Sequence, residues 1–150
     1  VGDDRPFDPA FLLALNRPTV LWGANHYSDR VPGSPSWLIW DKRDGMSSND
    51  NADCELAWSN LGGPLRIFRH LWRGTCRASE TGTPHLGPTQ KPIALLERIV
   101  GASSAPGDVV LDPFGGSMTA GAAALAGGRR FIGIDGDAKW IEAGARRLAR

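Results

Sequence analysis

The strongest constraint on this chain is Val109-Val110-Leu111-Asp112-Pro113-Phe114-Gly115-Gly116-Ser117. An apolar run ends in an acidic residue, a proline turn and a pair of glycines, and small residues follow. Continuous apolar runs belong to strands buried on both faces, and parallel strands of this kind pass into helices through glycine-rich turns. Arg130-Phe131-Ile132-Gly133-Ile134-Asp135 repeats the pattern, again with a carboxylate at its carboxyl end. Strand 109–114, helix 117–126 and strand 130–135 make one right-handed crossover, with Ser117 as the helix cap and Gly127 as its stop. Ligands of such units sit outside the carboxyl ends of the strands. Gly115 and Gly116 admit a ligand close to the backbone. Asp135 follows Gly116 by 19 residues, near the spacing at which a carboxylate meets a ribose hydroxyl pair. Asp112, at the mouth of the neighbouring strand, suits a positively charged end of the ligand.

The rest of the chain supports an α/β reading with a mostly parallel sheet and helices on both faces. Asp8-Pro9 opens a helix that Arg17-Pro18 stops. Thr19–Ala24 and Trp37–Trp40 read as short strands, and 41–51 as a polar loop. Asp53–Ser59 is expected to be a short helix. Leu65–Leu71 fits a strand better than a helix, and Arg73–Pro88 reads as a long loop. Ile93, Leu96, Ile99 and Val100 recur at helical spacing, with Gly101 at the end. Asp137 caps a last helix, with Ile141, Ala145 and Leu148 on one face. The organisation expected is one domain over 1–150: a target-binding half (1–72), a loop (73–88) and a cofactor half (89–150).

Composition narrows the class. Hydrophobic residues at 41% and charged residues at 22% are ordinary for a globular domain. No apolar run reaches membrane-spanning length, which leaves a cytoplasmic protein as the expectation. The two cysteines, Cys54 and Cys76, have no metal spacing and read as free thiols, and the three histidines are too scattered for a metal site. Net charge is only +1, so the overall balance says nothing for nucleic acid. Its distribution says more: between Leu56 and Ser79 there is no acidic residue, while Arg66, Arg69, Arg73 and Arg77 all fall there, with His70 and Trp72 among them. These arginines are the candidate DNA-binding residues, since guanidinium groups bind phosphates or read guanine edges, and Trp72 is placed to stack or wedge.

Asp112-Pro113-Phe114-Gly115-Gly116-Ser117 resembles the Asp-Pro-Phe-x-Gly-Ser-Gly-Thr-Thr cofactor motif of amino-group DNA methyltransferases. His85-Leu86-Gly87-Pro88-Thr89-Gln90-Lys91-Pro92 resembles their His-Pro-Thr-Gln-Lys-Pro motif with two residues inserted, and Phe131–Asp135 matches the strand that follows. Trp22-Gly23-Ala24-Asn25, Trp37–Lys42 and Ala52–Trp58 are similar to a subgroup common in phages and prophages. The order of these motifs is that of the permuted, beta-type class. The resemblance implies a Rossmann-like S-adenosylmethionine-dependent fold and methyl transfer to an exocyclic amine of a flipped-out base in double-stranded DNA, adenine N6 ahead of cytosine N4, as in restriction-modification. It implies that Asp112, Pro113, Phe114, Gly115, Gly116 and Ser117 line the cofactor, that Asp135 holds its ribose, and that Thr89, Gln90 and Lys91 close over its methionine end. No metal is implied, and a homodimer stays open.

Two departures matter. The second glycine of the family motif is Met118 and its second threonine is Ala120; a Met118 side chain aimed into the pocket narrows it. The Asp-Pro-Pro-Tyr-type catalytic motif is not found, so no catalytic residue is assigned. Its nearest imitation, Ser34-Pro35-Ser36-Trp37, stands in the wrong order and reads as a loop entering a strand, and Asp3-Asp4-Arg5-Pro6 is weaker. Because the chain begins at Val1 without an initiator methionine, the expectation is a fragment or processed form truncated before that motif. Alternatives are an incomplete homologue that binds DNA or cofactor without turnover, and an unrelated dinucleotide enzyme, which leaves the Gln-Lys-Pro element unexplained.

Overall fold

The computed structural model describes residues 5–87 and 89–149; Val1, Asp3, Asp4 and Pro88 of the expectations above lie outside them. The chain divides into two compact units, one ending at Ala78 and the other beginning at Ser79. The boundary falls inside the stretch expected to be a loop.

The first unit contains helix α1 (Ala10–Leu13) and strands β1 (Val20–Trp22), β2 (Trp37–Asp41), β3 (Cys54–Ser59) and β4 (Arg66–Arg69). They form a sheet in the order β1-β3-β2-β4, antiparallel except for the β2/β4 pair. The expectation of mostly parallel pairing does not hold in this unit. Nor does the helix expected at Asp53–Ser59: these residues are β3, paired on both edges. Two flanking partners satisfy a backbone that a lone short segment leaves to local preference. One face of the sheet packs Leu21 and Trp58 against Leu12, Ala24 and Tyr27, with Phe7 at the edge. The Tyr27 hydroxyl donates to Trp22 O at 2.6 Å, closing the loop after β1.

Ser34-Pro35-Ser36-Trp37 is committed to structure. Ser34 Oγ donates to Ser59 O at 2.7 Å, the Ser36 and Ser59 hydroxyls meet at 2.8 Å, and Trp37 Nε1 donates to Ser34 O. These polar groups anchor the start of β2 to the end of β3. Beyond β2, Arg43 is buried and gathers the 44–53 loop, ion-pairing with Asp53 and donating to Ser47 O and Asn51 O. The stretch expected as an unbroken loop from Arg73 contains a hairpin, β5 (Trp72–Arg73) with β6 (Cys76–Arg77), turned at Gly74.

The second unit contains α2 (Ile93–Ser103), β7 (Val109–Asp112), α3 (Thr119–Ala126), β8 (Arg130–Gly133) and α4 (Ala138–Leu148). β7 and β8 pair in parallel with Asp112 opposite Gly133, and α3 crosses between them and packs against both. This is the expected crossover. α2 runs past Gly101, which lies inside it. α2 packs on α3 through a core including Leu95, Leu96, Val100, Ala123 and Ala124. Small residues in α3 make the close approach possible; a Cβ at Gly121 would collide with the Phe131 ring of β8. Arg129 donates to Ser104 O at 2.8 Å, tying the end of α2 to the start of β8. Asp137 caps α4 as expected, accepting from Lys139 N at 2.9 Å. The face of α4 turned to the protein differs from the expected one. Gly144 is buried and Trp140, Arg147 and Leu148 are half-buried, whereas Ile141 and Ala145 are exposed.

Candidate cofactor site

The site lies at the carboxyl ends of β7 and β8, where the chain turns through glycines into α3. Asp135 holds this turn: its Oδ2 accepts from Gly116 N at 2.8 Å and its Oδ1 from Asp137 N at 2.9 Å. Gly115 N donates to Ile134 O at 2.8 Å, so the turn continues the ladder of the strands beneath it. Each carboxylate oxygen has a second lone pair, so Asp135 can brace the turn and still accept from a ligand hydroxyl.

Asp112 is half-buried at the end of β7, where its Oδ1 accepts from Phe114 N at 3.1 Å. Desolvation raises its pKa above the usual carboxylate range and the Asp135 charge adds to this, while the Phe114 N–H and the Lys91 ammonium pull it down. A crowded carboxylate of this kind gains from a cationic ligand, which supplies the charge that water would have supplied. The Phe114 ring is 59% exposed beside the carboxylates, an unusual position for a large apolar side chain and a suitable one for stacking. Pro113 is half-buried in the turn. The donor set therefore fits a ligand with a cationic end, a pair of hydroxyls and a flat ring. Among the described residues, no group of three or more His, Cys, Asp or Glu side chains is placed to hold a metal ion.

Gly115 and Ser117 are buried in the interior. Ser117 is not the helix cap. The helix starts at Thr119 after Met118, which adopts the left-handed conformation at φ 54°, and no side chain caps it. Ser117 is buried, with its hydroxyl 2.9 Å from Thr119 Oγ1. The Met118 side chain points into the protein, where it is 4% exposed and occupies a socket lined by Gly115, Gly133 and Gly144. A Cβ at any of these glycines would collide with it; at Gly133 the distance to Sδ would be 2.6 Å. The left-handed backbone costs roughly 1–2 kcal/mol, and full burial of the side chain returns roughly 1.5–3 kcal/mol. Burial wins. The departure from the family motif therefore goes into the core, not into the pocket.

The residues of the Gln-Lys-Pro element divide. Thr89 is exposed and Lys91 half-buried with its charge felt at Asp112. Gln90 is 6% exposed and its amide is engaged internally, Oε1 accepting from Leu86 N at 2.9 Å and Nε2 donating to Glu80 at 3.3 Å. Gly87 is half-buried under the Trp140 indole, which leaves no room for a Cβ. Glu80 and Arg147, which the sequence reading did not single out, meet in this region. Arg147 is half-buried and its pKa is lowered by desolvation, against the opposing pull of Glu80.

The arginines of the DNA expectation do not share one surface. Strand alternation puts Arg66, beside Leu38, and Arg69, beside Asp41, on opposite faces of the sheet. Arg69 lies 3.8 Å from the Asp41 carboxylate. Arg73 and Arg77 likewise alternate across the β5/β6 hairpin. Arg77 packs over the Trp72 ring at 5.2 Å, and Trp72 is buried, so its indole does not project as a wedge. Cys54 and Cys76 are exposed free thiols, and no described helix is long and apolar enough to cross a membrane.

The fold and site define an α/β protein of the nucleotide-cofactor kind. Comparison with known proteins gives the family. The N6_N4_Mtase model, described as DNA methylase, matches residues 64–146, more than half of the chain. The chain belongs to this family of DNA methylases. It is 64% identical over 61 residues to the DNA adenine methyltransferase YhdJ of Escherichia coli (strain K12), covering 41% of this chain and 21% of that protein. It is 44% identical over 115 residues to the type II methyltransferase M2.DpnII of Streptococcus pneumoniae, covering 77% and 42%. Among solved structures, M1.HpyAVI in complex with SAM aligns with a TM-score of 0.60 at 25% identity, covering 89% of this chain and 74% of that one. The chain spans less than half the length of these two curated relatives.

Two outcomes are expected. Gly144→Ala, stabilising in an exposed helix, should here destabilise by about 1–3 kcal/mol through collision with Met118, and adding Met118→Ala should recover part of the loss in urea unfolding. For Asp112, a raised folded pKa means that stability falls as pH rises through the window above the usual carboxylate range. Asp112→Asn should therefore raise the thermal midpoint of the ligand-free chain at neutral pH and flatten its decline across that window.

Proposed function

We infer that this chain is the cofactor-binding part of an S-adenosylmethionine-dependent DNA methyltransferase acting on an exocyclic amine, adenine N6 first and cytosine N4 second. The observation that carries the reading is the pair of carboxylates, Asp112 and Asp135, at the ends of adjacent parallel strands beside Lys91 and the exposed Phe114. The two relatives named above, both methyltransferases, support it.

In this reading Asp135 accepts from the ribose hydroxyls, Asp112 faces the cationic methionine end, Lys91 attracts its carboxylate and Phe114 stacks on the adenine. Gly116 keeps the turn narrow through its bond to Asp135. Pro113, Gly115, Ser117 and Gln90 shape the pocket from beneath, and exposed Thr89 stands at its rim. S-adenosylmethionine, when bound, supplies an electrophilic methyl group on a sulfonium. The protein's task is to hold the donor dry and oriented while a flipped-out base presents its amine. Of Arg66, Arg69, Arg73 and Arg77, which do not share one surface, the exposed Arg66 and Arg73 are proposed as the phosphate contacts. A second reading, a module that binds without turnover, draws support from the structural commitment of Ser34-Pro35-Ser36-Trp37.

Calorimetric titration with S-adenosylmethionine tests the cofactor assignment. The chain should bind it, and Asp112→Asn should weaken binding about tenfold or more, the loss of one charge-assisted contact. No heat at high cofactor concentration would sink the assignment. For DNA, replacing Arg66 and Arg73 together with Ala should lower the slope of log affinity against log salt by about 1–2. An unchanged slope would place the interface elsewhere.

A further inference from the structure

Glu80 is an unusual residue to find at the start of the second unit. It adopts a left-handed backbone at φ 54°, and its side chain is only 15% exposed. Its Oε1 accepts from Ile93 N, the first residue of α2, at 2.8 Å, and its Oε2 accepts from Gln90 Nε2 at 3.3 Å. The same Oε2 lies 3.8 Å from the Arg147 guanidinium, itself 16% exposed. Arg147 reaches the other way as well, donating through Nη1 to Ser117 O at 2.9 Å and to Thr119 Oγ1 at 3.0 Å. Through this half-buried ion pair, Arg147 of the last helix joins two segments distant in sequence: the loop leading to Lys91, and the exit of the glycine turn that carries Asp112 and Phe114.

We propose that Glu80 and Arg147 are positioning residues for the cofactor pocket. They clamp the 80–93 loop to the glycine turn and so set the separation between Lys91 and Asp112. The assignment rests on the cofactor reading above for its effect on affinity, but not for the clamp itself. Three features support a positioning role. Glu80 caps α2 and holds Gln90 at once, so a shift of the carboxylate moves both neighbours of Lys91. The Arg147 guanidinium spans the two segments from one rigid plane, with Nη1 on the turn and Nη2 toward Glu80, which an ammonium cannot reproduce. With both side chains largely shielded from water, loss of either member leaves the other charge short of its counter-ion, which favours movement of the loop.

The test uses the 150-residue chain. Glu80→Gln keeps an acceptor for Ile93 N but removes the charge; Arg147→Lys keeps the charge but removes the fork. Each should weaken S-adenosylmethionine binding about tenfold, and the double variant should be no weaker than the worse single one, as for groups acting as a unit. Val100→Ala, which empties core space in the same unit, should lower the thermal midpoint yet leave affinity unchanged. If Val100→Ala weakens binding as much as the clamp variants, or if the two single effects add, the positioning role is overturned. Hydrogen exchange on the ligand-free chain separates this inference from the cofactor reading. The amides of Leu86, Gln90 and Ile93, each hydrogen-bonded in the structure, should lose protection in both clamp variants, while amides at the amino end of β7 keep it. Unchanged protection at Leu86, Gln90 and Ile93 overturns the clamp even if cofactor binds. A wild-type chain that binds no cofactor, with protection lost as expected, overturns only the cofactor reading.

Discussion

The second unit depends on how one methionine is accommodated. Met118 stands in a left-handed conformation that an L side chain resists, directly where the glycine turn becomes α3. Its side chain makes the conformation tolerable by filling the space that Gly115, Gly133 and Gly144 leave open between turn, strand and last helix. Three positions without side chains and one long flexible one solve a single packing problem. A thioether suits this role because an unbranched chain fits an irregular gap. The same arrangement aims the turn outward, which places Asp112 and Phe114 at the strand ends rather than in the core.

Polar bonds then fix what packing places. Asp135 bonds the turn to the start of α4 through two backbone amides, and Arg147 returns from that helix to the turn's exit. The pocket floor is therefore tied to one helix at two points. Buried polar groups of this kind specify a geometry more than they add stability, because desolvation offsets much of their attraction. In the proposed reading, a methyl donor held for transfer needs that geometry, since alignment supplies much of the rate in a reaction with little acid–base chemistry.

The first unit follows a different logic. Its sheet is largely antiparallel, and its tryptophans serve as wall and anchor: Trp58 Nε1 donates to Pro32 O and Trp40 Nε1 to His70 O. Alternation across β4 and across the β5/β6 hairpin spreads the arginines over several faces, although their spacing in sequence suits one helical stripe. Charge clustering along a sequence becomes a patch in space only when the secondary structure keeps those charges on one face.

The sequence by itself determined the crossover of β7, α3 and β8, the carboxylates at the strand ends, the cap at Asp137 and the family. Each of these is local: an apolar run, a turn residue or a capping residue acts on its immediate neighbours. Tertiary structure decided the rest. Cys54–Ser59 became a strand because two neighbours were available to pair with it, and the buried face of α4 was set by Gly144 over Met118 rather than by Ile141. Ser117 and Gln90 act as interior struts, Ser117 through Thr119 and Arg147 and Gln90 through Leu86 and Glu80. The Glu80–Arg147 pair carries no motif at all. Partners so far apart in sequence leave no periodic signal, and only the folded chain brings them within reach of one another.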